Sequence, residues 1–260
     1  MLDAKRIVDG VSWRLEALEE RLPTPMRVWL DNRKNDRRVR RGGTTFERAR
    51  LVDTYRRSIE LLLRREPRAA LGDYVEFGVY HGTSLSCIYE AREAMRLPHM
   101  RLFGFDSFEG LPESAASEDD GVWMPGQYRS TLELTRENLR RWGVPDDAVT
   151  LTKGWFSETC TPAVRQRLGI TKASVIMVDC DLYSSSVDAL AFCEPLIHSQ
   201  AVIVFDDYNA SGLADKHMGE RRAFDEFLDA HGDLHAERLP GMNYKDKVDP
   251  EIFLVTRAAV

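Results

Sequence analysis

Two short apolar runs in the second half of the chain each finish in a pair of acids: Ile176-Met177-Val178-Asp179-Cys180-Asp181 and Val204-Phe205-Asp206-Asp207. Runs of this length and composition read as buried strands. Carboxylates leaving adjacent strand tips on one edge repel strongly in a low dielectric, so they must be protonated, kept apart or bridged by a cation. A cation accounts for all four acids at once. No cysteine or histidine pair stands near them, so the donors are oxygens alone, which suits a hard ion such as Mg2+ that keeps positions open for water or substrate. A hydroxyl on such an ion is acidified, and a neighbouring carboxylate can take its proton. The competing reading is that Asp181 and Asp207 cap the helices that follow. Capping explains one acid per strand and leaves two over.

A second group lies about a hundred residues earlier. Glu76-Phe77-Gly78-Val79-Tyr80-His81-Gly82 ends one apolar run and opens a helical pattern. Glycine at 78 permits a sharp turn, and glycine at 82 allows close approach of a ligand or of the strand. A pyrophosphate cradle would read Gly-x-Gly-x-x-Gly, and only one glycine precedes Gly82, so a single nucleoside fits better than a dinucleotide. Asp106 ends the next run, in Phe103-Gly104-Phe105-Asp106-Ser107-Phe108, where an acid can accept bonds from both ribose hydroxyls or, alternatively, cap a turn. Tyr80, Gly82 and Ser84 in the same turn and helix start are further candidate contacts. His81 and His217 are read as structural or surface histidines before ligand contacts. Ser184-Ser185-Ser186 resembles a helix N-cap and lacks the Gly-x-Ser-x-Gly elbow of a hydrolase nucleophile.

The elements that must carry these groups alternate in a βαβ pattern, which predicts a mostly parallel sheet. Strands are expected at 74–77, 102–105, 149–152, 174–178, 201–205, 234–239 and 252–256. Helices are expected at 83–95, 131–142, 162–168, 187–197 and 220–231. The last two strands are separated only by Pro240 to Pro250, too short for a crossover helix, so they should form an antiparallel edge hairpin. Before the sheet, Val11, Leu15, Leu18 and Leu22 have helical spacing, with Pro23 and Pro25 expected to end that helix. A second helix is expected from the capping box Thr44-x-x-Glu47. The basic stretch Arg33 to Arg41 between them reads as a solvated or mobile arm. The acidic stretch Glu113 to Asp120 reads as a mobile loop beside the ligand edge.

Composition bounds the rest. A chain of 260 residues that is 43% hydrophobic can bury one substantial core. We expect a helical extension or lid over residues 1–70 and a main domain over 71–260. A net charge of -6 speaks against general nucleic-acid binding. The sequence has no apolar stretch of membrane-spanning length and no signal core, and its four cysteines form no Cys-x-x-Cys pair, so a cytoplasmic, reducing location is expected.

Taken together, Glu76-Phe77-Gly78-Val79, Phe105-Asp106-Ser107-Phe108-Glu109-Gly110-Leu111-Pro112, Lys153-Gly154-Trp155-Phe156, Asp179-Cys180-Asp181-Leu182-Tyr183 and Asp206-Asp207-Tyr208 resemble the macrocin O-methyltransferase (TylF-type) family. The resemblance spans roughly 73–228. It implies a Rossmann-like class I methyltransferase fold, α/β with a seven-stranded sheet, and transfer from S-adenosylmethionine to a sugar hydroxyl with Mg2+. By resemblance, Asp179, Asp206 and Asp207 hold the metal and Asp181 is the general base, so Asp181 and Asp179 are the catalytic pair. Glu76 and Gly78 line the methionine end, with Asp179 beside them. Asp106 and Ser107 take the ribose, and Gly154 and Trp155 the adenine side. The loop Tyr128 to Thr131 lies near the adenosine. Cys180 stands where the family has glycine. The expected partners are a small hydroxylated acceptor, sugar or glycoside, and further copies of the chain in a homo-oligomer. Two other readings stand beside this one. A nicotinamide oxidoreductase would need a phosphate cradle and a Tyr-x-x-x-Lys pair, and a non-catalytic nucleoside-binding protein would not need four strand-end acids.

Overall fold

A computed structural model describes residues 21–258 apart from 45 and 246–249. Seven strands form one sheet: β1 (Asp73–Phe77), β2 (Leu102–Asp106), β3 (Val149–Lys153), β4 (Ala173–Val178), β5 (Gln200–Phe205), β6 (Leu234–Arg238) and β7 (Glu251–Arg257). Their order is β3-β2-β1-β4-β5-β7-β6, parallel except for β7, which runs antiparallel to both its neighbours. The edge hairpin and the mostly parallel sheet are those expected from the sequence, and β1, β4 and β5 are buried along their whole length, as strands covered on both faces must be.

Eight α-helices accompany the sheet among the described residues: α1 (Thr24–Arg40), α2 (Arg48–Leu63), α3 (Thr83–Ala94), α4 (Leu132–Arg141), α5 (Phe156–Thr159), α6 (Pro162–Leu168), α7 (Tyr183–Cys193) and α8 (Gly219–Ala230). Two of them start where the sequence says. Thr131 and Thr161 accept the backbone N–H three residues on, capping α4 and α6, and Pro162 occupies the first position of α6.

Helix α2 belongs to the core. Leu51, Tyr55, Ile59 and Leu62 are fully buried in the same cluster as Tyr74, Val175 and Met177, each such side chain contributing roughly 1.5–3 kcal/mol. The Tyr55 and Tyr74 hydroxyls bond at 2.8 Å in that interior.

Several local expectations are corrected. The helix expected over 11–22 falls almost wholly outside the described residues; Pro23 is the N-cap residue of α1 and Pro25 stands in its first turn. The basic stretch is not an arm: it is the second half of α1, with Val39 fully buried. The Thr44 capping box does not form, because α2 starts at Arg48 after Glu47 and the Thr44 hydroxyl donates to the Phe46 carbonyl. Ser184 to Ser186 lie inside the first turn of α7 rather than before it, and no side chain at its N-cap residue, Leu182, can cap it. The acidic loop does that work. Asp119 Oδ2 accepts the Tyr183 N–H at 2.9 Å, Glu118 accepts the Ser184 N–H at 3.2 Å, and Asp119 Oδ1 accepts the Gly219 N–H of α8 at 2.9 Å. One buried carboxylate thereby ties two helix starts together, so this segment is anchored where the sequence suggested mobility.

Candidate active site

Sheet register assembles the motifs. Lys153 pairs with Asp106, Phe105 with Phe77, Phe77 with Val178 and Val178 with Phe205. The residues one step beyond Phe105, Phe77, Val178 and Phe205 therefore form a row across the carboxyl edge, Asp106, Gly78, Asp179 and Asp206, with Gly154 following Lys153 at its end. The ladder continues into the row, with Gly154 N–H to Asp106 O at 3.0 Å, Gly78 N–H to Phe105 O at 3.0 Å, Asp179 N–H to Phe77 O at 2.9 Å and Asp206 N–H to Val178 O at 3.0 Å. An open α/β sheet binds its ligands along this edge. Here the row is the floor of a cleft of about 630 Å3.

At one end of the cleft, Asp106 organises the turn after β1. Its Oδ2 accepts the Val79 and Tyr80 N–H groups at 2.7 and 2.8 Å, and Oδ1 accepts the Phe108 N–H at 2.6 Å. Burial raises its pKa and these three donors oppose the rise. Each carboxylate oxygen has a second lone pair, which leaves acceptor capacity for a ligand hydroxyl. Ser107, Gly154, Trp155 and Tyr80 line the same end. Glu76, Gly82 and Ser84 lie behind the wall. Glu76 is fully buried and accepts the hydroxyls of Tyr74 and Ser84, both at 2.5 Å. Its pKa is pushed up to about 8 by burial, against the pull of those two donors. Gly82 has φ of 77°, and its open side faces Leu139 and Thr135 of α4, so the close approach there is helix on helix.

The far end holds the acids. One oxygen from each of Asp179, Asp206 and Asp207 lies within 4.8 Å of the others. Asp181 is buried, has φ of 63°, and has Asp207 as its main neighbouring charge. Burial raises the pKa of Asp179, helped by the charges of Asp206 and Asp207; it raises that of Asp181 in the same way, with Asp207 the main neighbour. Neither Asp181 nor Asp207 caps a helix with its side chain in the way the alternative reading required: Leu182 is the N-cap residue of α7, and the N-cap of α8 is Met218. Cys180 between the acids is buried, with its sulfur 3.6 Å from the Ser186 hydroxyl.

Three residues at this end escaped the sequence reading. Glu220 on α8 is buried and accepts the Asp207 N–H at 3.1 Å; its other oxygen has no hydrogen-bond partner among the described residues. Tyr244 is buried and donates its hydroxyl to Asp206 Oδ1. Lys245 reaches Asp206 Oδ2 at 2.5 Å. Both come from the β6–β7 connection, which α2 pins down through Thr54 Oγ1 to Met242 O at 2.7 Å and Arg57 to Gly241 O at 2.8 Å. The signal was present: an edge hairpin whose loop opens on the carboxyl edge must hold its tip near the strand-end acids.

The walls come from connections. Phe46 precedes α2, Leu111 and Pro112 follow β2, Tyr128 precedes α4, and Lys245 joins β6 to β7. Helix α1 lies over the turn after β1: Asp36 Oδ1 is 2.9 Å from His81 Nε2, and Asn32 donates to the Gly126 carbonyl at 2.7 Å. His81 is thus a buried structural residue, and His217 is exposed, 3.3 Å from Asp225.

Known proteins resemble both the sequence and the fold. Over 155 residues the chain is 34% identical to the 8-demethyl-8-(2,3-dimethoxy-alpha-L-rhamnosyl)-tetracenomycin-C 4'-O-methyltransferase of Streptomyces olivaceus, covering 55% of this chain and 56% of that protein. Over 172 residues it is 28% identical to the mycinamicin III 3''-O-methyltransferase of Micromonospora griseorubida, covering 62% of each. The match therefore spans less than two thirds of either relative. Among solved structures, the O-methyltransferase NovP superposes with a TM-score of 0.63 at 22% identity, over 81% of this chain and 80% of that one. The calicheamicin methyltransferase CalS11 gives 0.59 at 21%, over 96% and 91%. These two likenesses establish the class I methyltransferase fold. The model of the macrocin-O-methyltransferase (TylF) family matches residues 26–235, which take in every strand-tip motif of the cleft, and the chain belongs to that family.

Proposed function

We propose that the protein transfers the methyl group of S-adenosylmethionine to a hydroxyl of a sugar or glycosylated small molecule, with a divalent ion, Mg2+, held by Asp179, Asp206 and Asp207. The observation that carries this reading is the single cleft joining a nucleoside end, built from Gly78, Asp106, Ser107, Gly154 and Trp155, to an acid end one strand away. The relatives named above methylate sugars on natural products, which supports the acceptor class.

The residues fit the ion. Its donors are three carboxylate oxygens, hard ligands within one coordination sphere's reach, and the buried acids are short of positive charge. When bound, the ion would acidify and orient the acceptor hydroxyl. The chain's own residues do the rest. Asp106 fixes the turn that receives the nucleoside, and Gly78 lets the donor lie against the sheet. Asp181, buried beside the three ligands, takes the hydroxyl proton. Attack at a sulfonium methyl must be in line with the leaving sulfur, so holding the two substrates in one narrow cleft supplies much of the rate. Helix α1, bonded to His81 through Asp36, lies over the nucleoside end.

The test is methyl transfer from labelled donor to a panel of hydroxylated metabolites, with chelator and then with Mg2+ restored. Turnover that persists in chelator removes the ion from the reading. Absence of donor binding by calorimetry removes the reaction itself.

A further inference from the structure

Six carboxylates line the cleft, those of Asp106, Asp179, Asp181, Asp188, Asp206 and Asp207. Among the described lining residues, Lys245 is the one lysine or arginine. It is placed on a single target: its ammonium sits 2.5 Å from Asp206 Oδ2, while Tyr244 holds Asp206 Oδ1. Both oxygens of one of the three ion-binding acids are therefore already engaged. A divalent ion that takes an Asp206 oxygen enters the space where an ammonium now compensates the same negative charge. Two cations so close repel in a low dielectric by far more than thermal energy.

Lys245 also has the means to leave. Its side chain is 23% exposed, whereas that of Asp206 is 8% exposed, and a lysine head sits on a four-carbon flexible stem. The backbone beneath it need not move, because Tyr244 is buried against Phe46, ring centroids 5.7 Å apart, and Met242 is bonded to Thr54.

We propose that Lys245 is a tethered countercation: it neutralises the acid cluster when no ion is bound, and gives up Asp206 when a divalent ion enters. The inference rests on the reading of Asp179, Asp206 and Asp207 as an ion site. It makes ion uptake an exchange of one cation for another, so the metal-free protein stays folded with its acids close together.

The experiment compares the full chain with Lys245→Gln, without donor or acceptor. In chelator, the variant should melt about 5–10 °C below the parent, because buried acids lose their partner. In saturating Mg2+ that gap should shrink by at least half, and Mn2+, followed by the paramagnetic resonance of the free ion, should bind the variant about tenfold more tightly. Equal gaps with and without ion, or unchanged or weaker Mn2+ binding, overturn the exchange and leave Lys245 as a fixed prop for Asp206. A parent that binds no Mn2+ and gains no stability from Mg2+ removes the ion site and the inference together. A measurement on the unaltered protein covers the case of a variant that does not fold. Acetylation of Lys245, followed by mass spectrometry, should quicken about tenfold on adding Mg2+, since the amine is released to solvent; an unchanged rate counts against the exchange.

Discussion

The backbone at Gly78 passes so close to that at Asp179 that a methyl group in place of the glycine hydrogen would stand 1.6 Å from the Asp179 carbonyl oxygen. The glycine also has φ of 88°, a conformation that other residues adopt only under strain. This contact joins the half of the cleft built around Asp106 to the acid half.

Gly78→Ala should therefore damage both. Neither partner is a flexible side chain, so strands β1 and β4 must separate. We expect a loss of more than about 4 kcal/mol in urea unfolding, with donor binding lost in whatever folds. A variant of ordinary stability that binds donor normally would show that the two tips are not locked.

The acids should divide by role when measured two ways. Asp179→Asn and Asp206→Asn should weaken Mn2+ binding at least about tenfold by removing ligand charge. Asp181→Asn should leave that affinity within about threefold and lower kcat by roughly 10²–10⁴ through loss of a proton acceptor. Equal effects of all three on ion binding would deny Asp181 a separate role.

Glu76 gives a pH dependence of stability. Its pKa is about 8 in the folded chain against the ordinary 4.5, so between those values unfolding releases a proton. Stability contributed by this group is complete below the unfolded value and is lost as pH rises towards the folded one, at up to about 1.4 kcal/mol per pH unit. Glu76→Gln, which keeps acceptor and size, should flatten the fall between pH 5 and 8. Parallel curves for parent and variant in urea titrations would mean that Glu76 is ionised throughout.

Asp119→Ala strips the cap from α7 and α8 together. One buried and one partly buried N–H group lose their acceptor, so we expect a loss of about 2–4 kcal/mol, partly recovered in Asp119→Asn. Unfolding unchanged within about 0.5 kcal/mol would assign the capping to water instead.

The acid-tipped strands β4 and β5 were legible because they are buried, nearly continuous apolar runs whose ends are marked by Asp179 and Asp206. The N-terminal helix α1 was not. Its inward residues Val28, Asn32, Asn35, Asp36 and Val39 have helical spacing, yet the middle three are polar, and Asn32 and Asp36 bond to Gly126 and His81. A face that docks through hydrogen bonds leaves no hydrophobic period to read. Tyr244 and Lys245 were missed for a related reason: their importance comes from where the hairpin ends, and a tyrosine and a lysine in a polar loop look like any solvent-facing pair. Glu220 resembles an ordinary first-turn acid of α8, and only its burial against Asp207 sets it apart.

Because Phe46, Leu111, Tyr128 and Lys245 belong to four separate connections, while the floor they surround is fixed by strand pairing, the mouth of this cleft can be edited one segment at a time. A longer loop or an exchanged aromatic alters what enters without shifting the line of tips beneath. Such a scaffold lets descendants of one ancestor diverge in taste while inheriting the same chemistry.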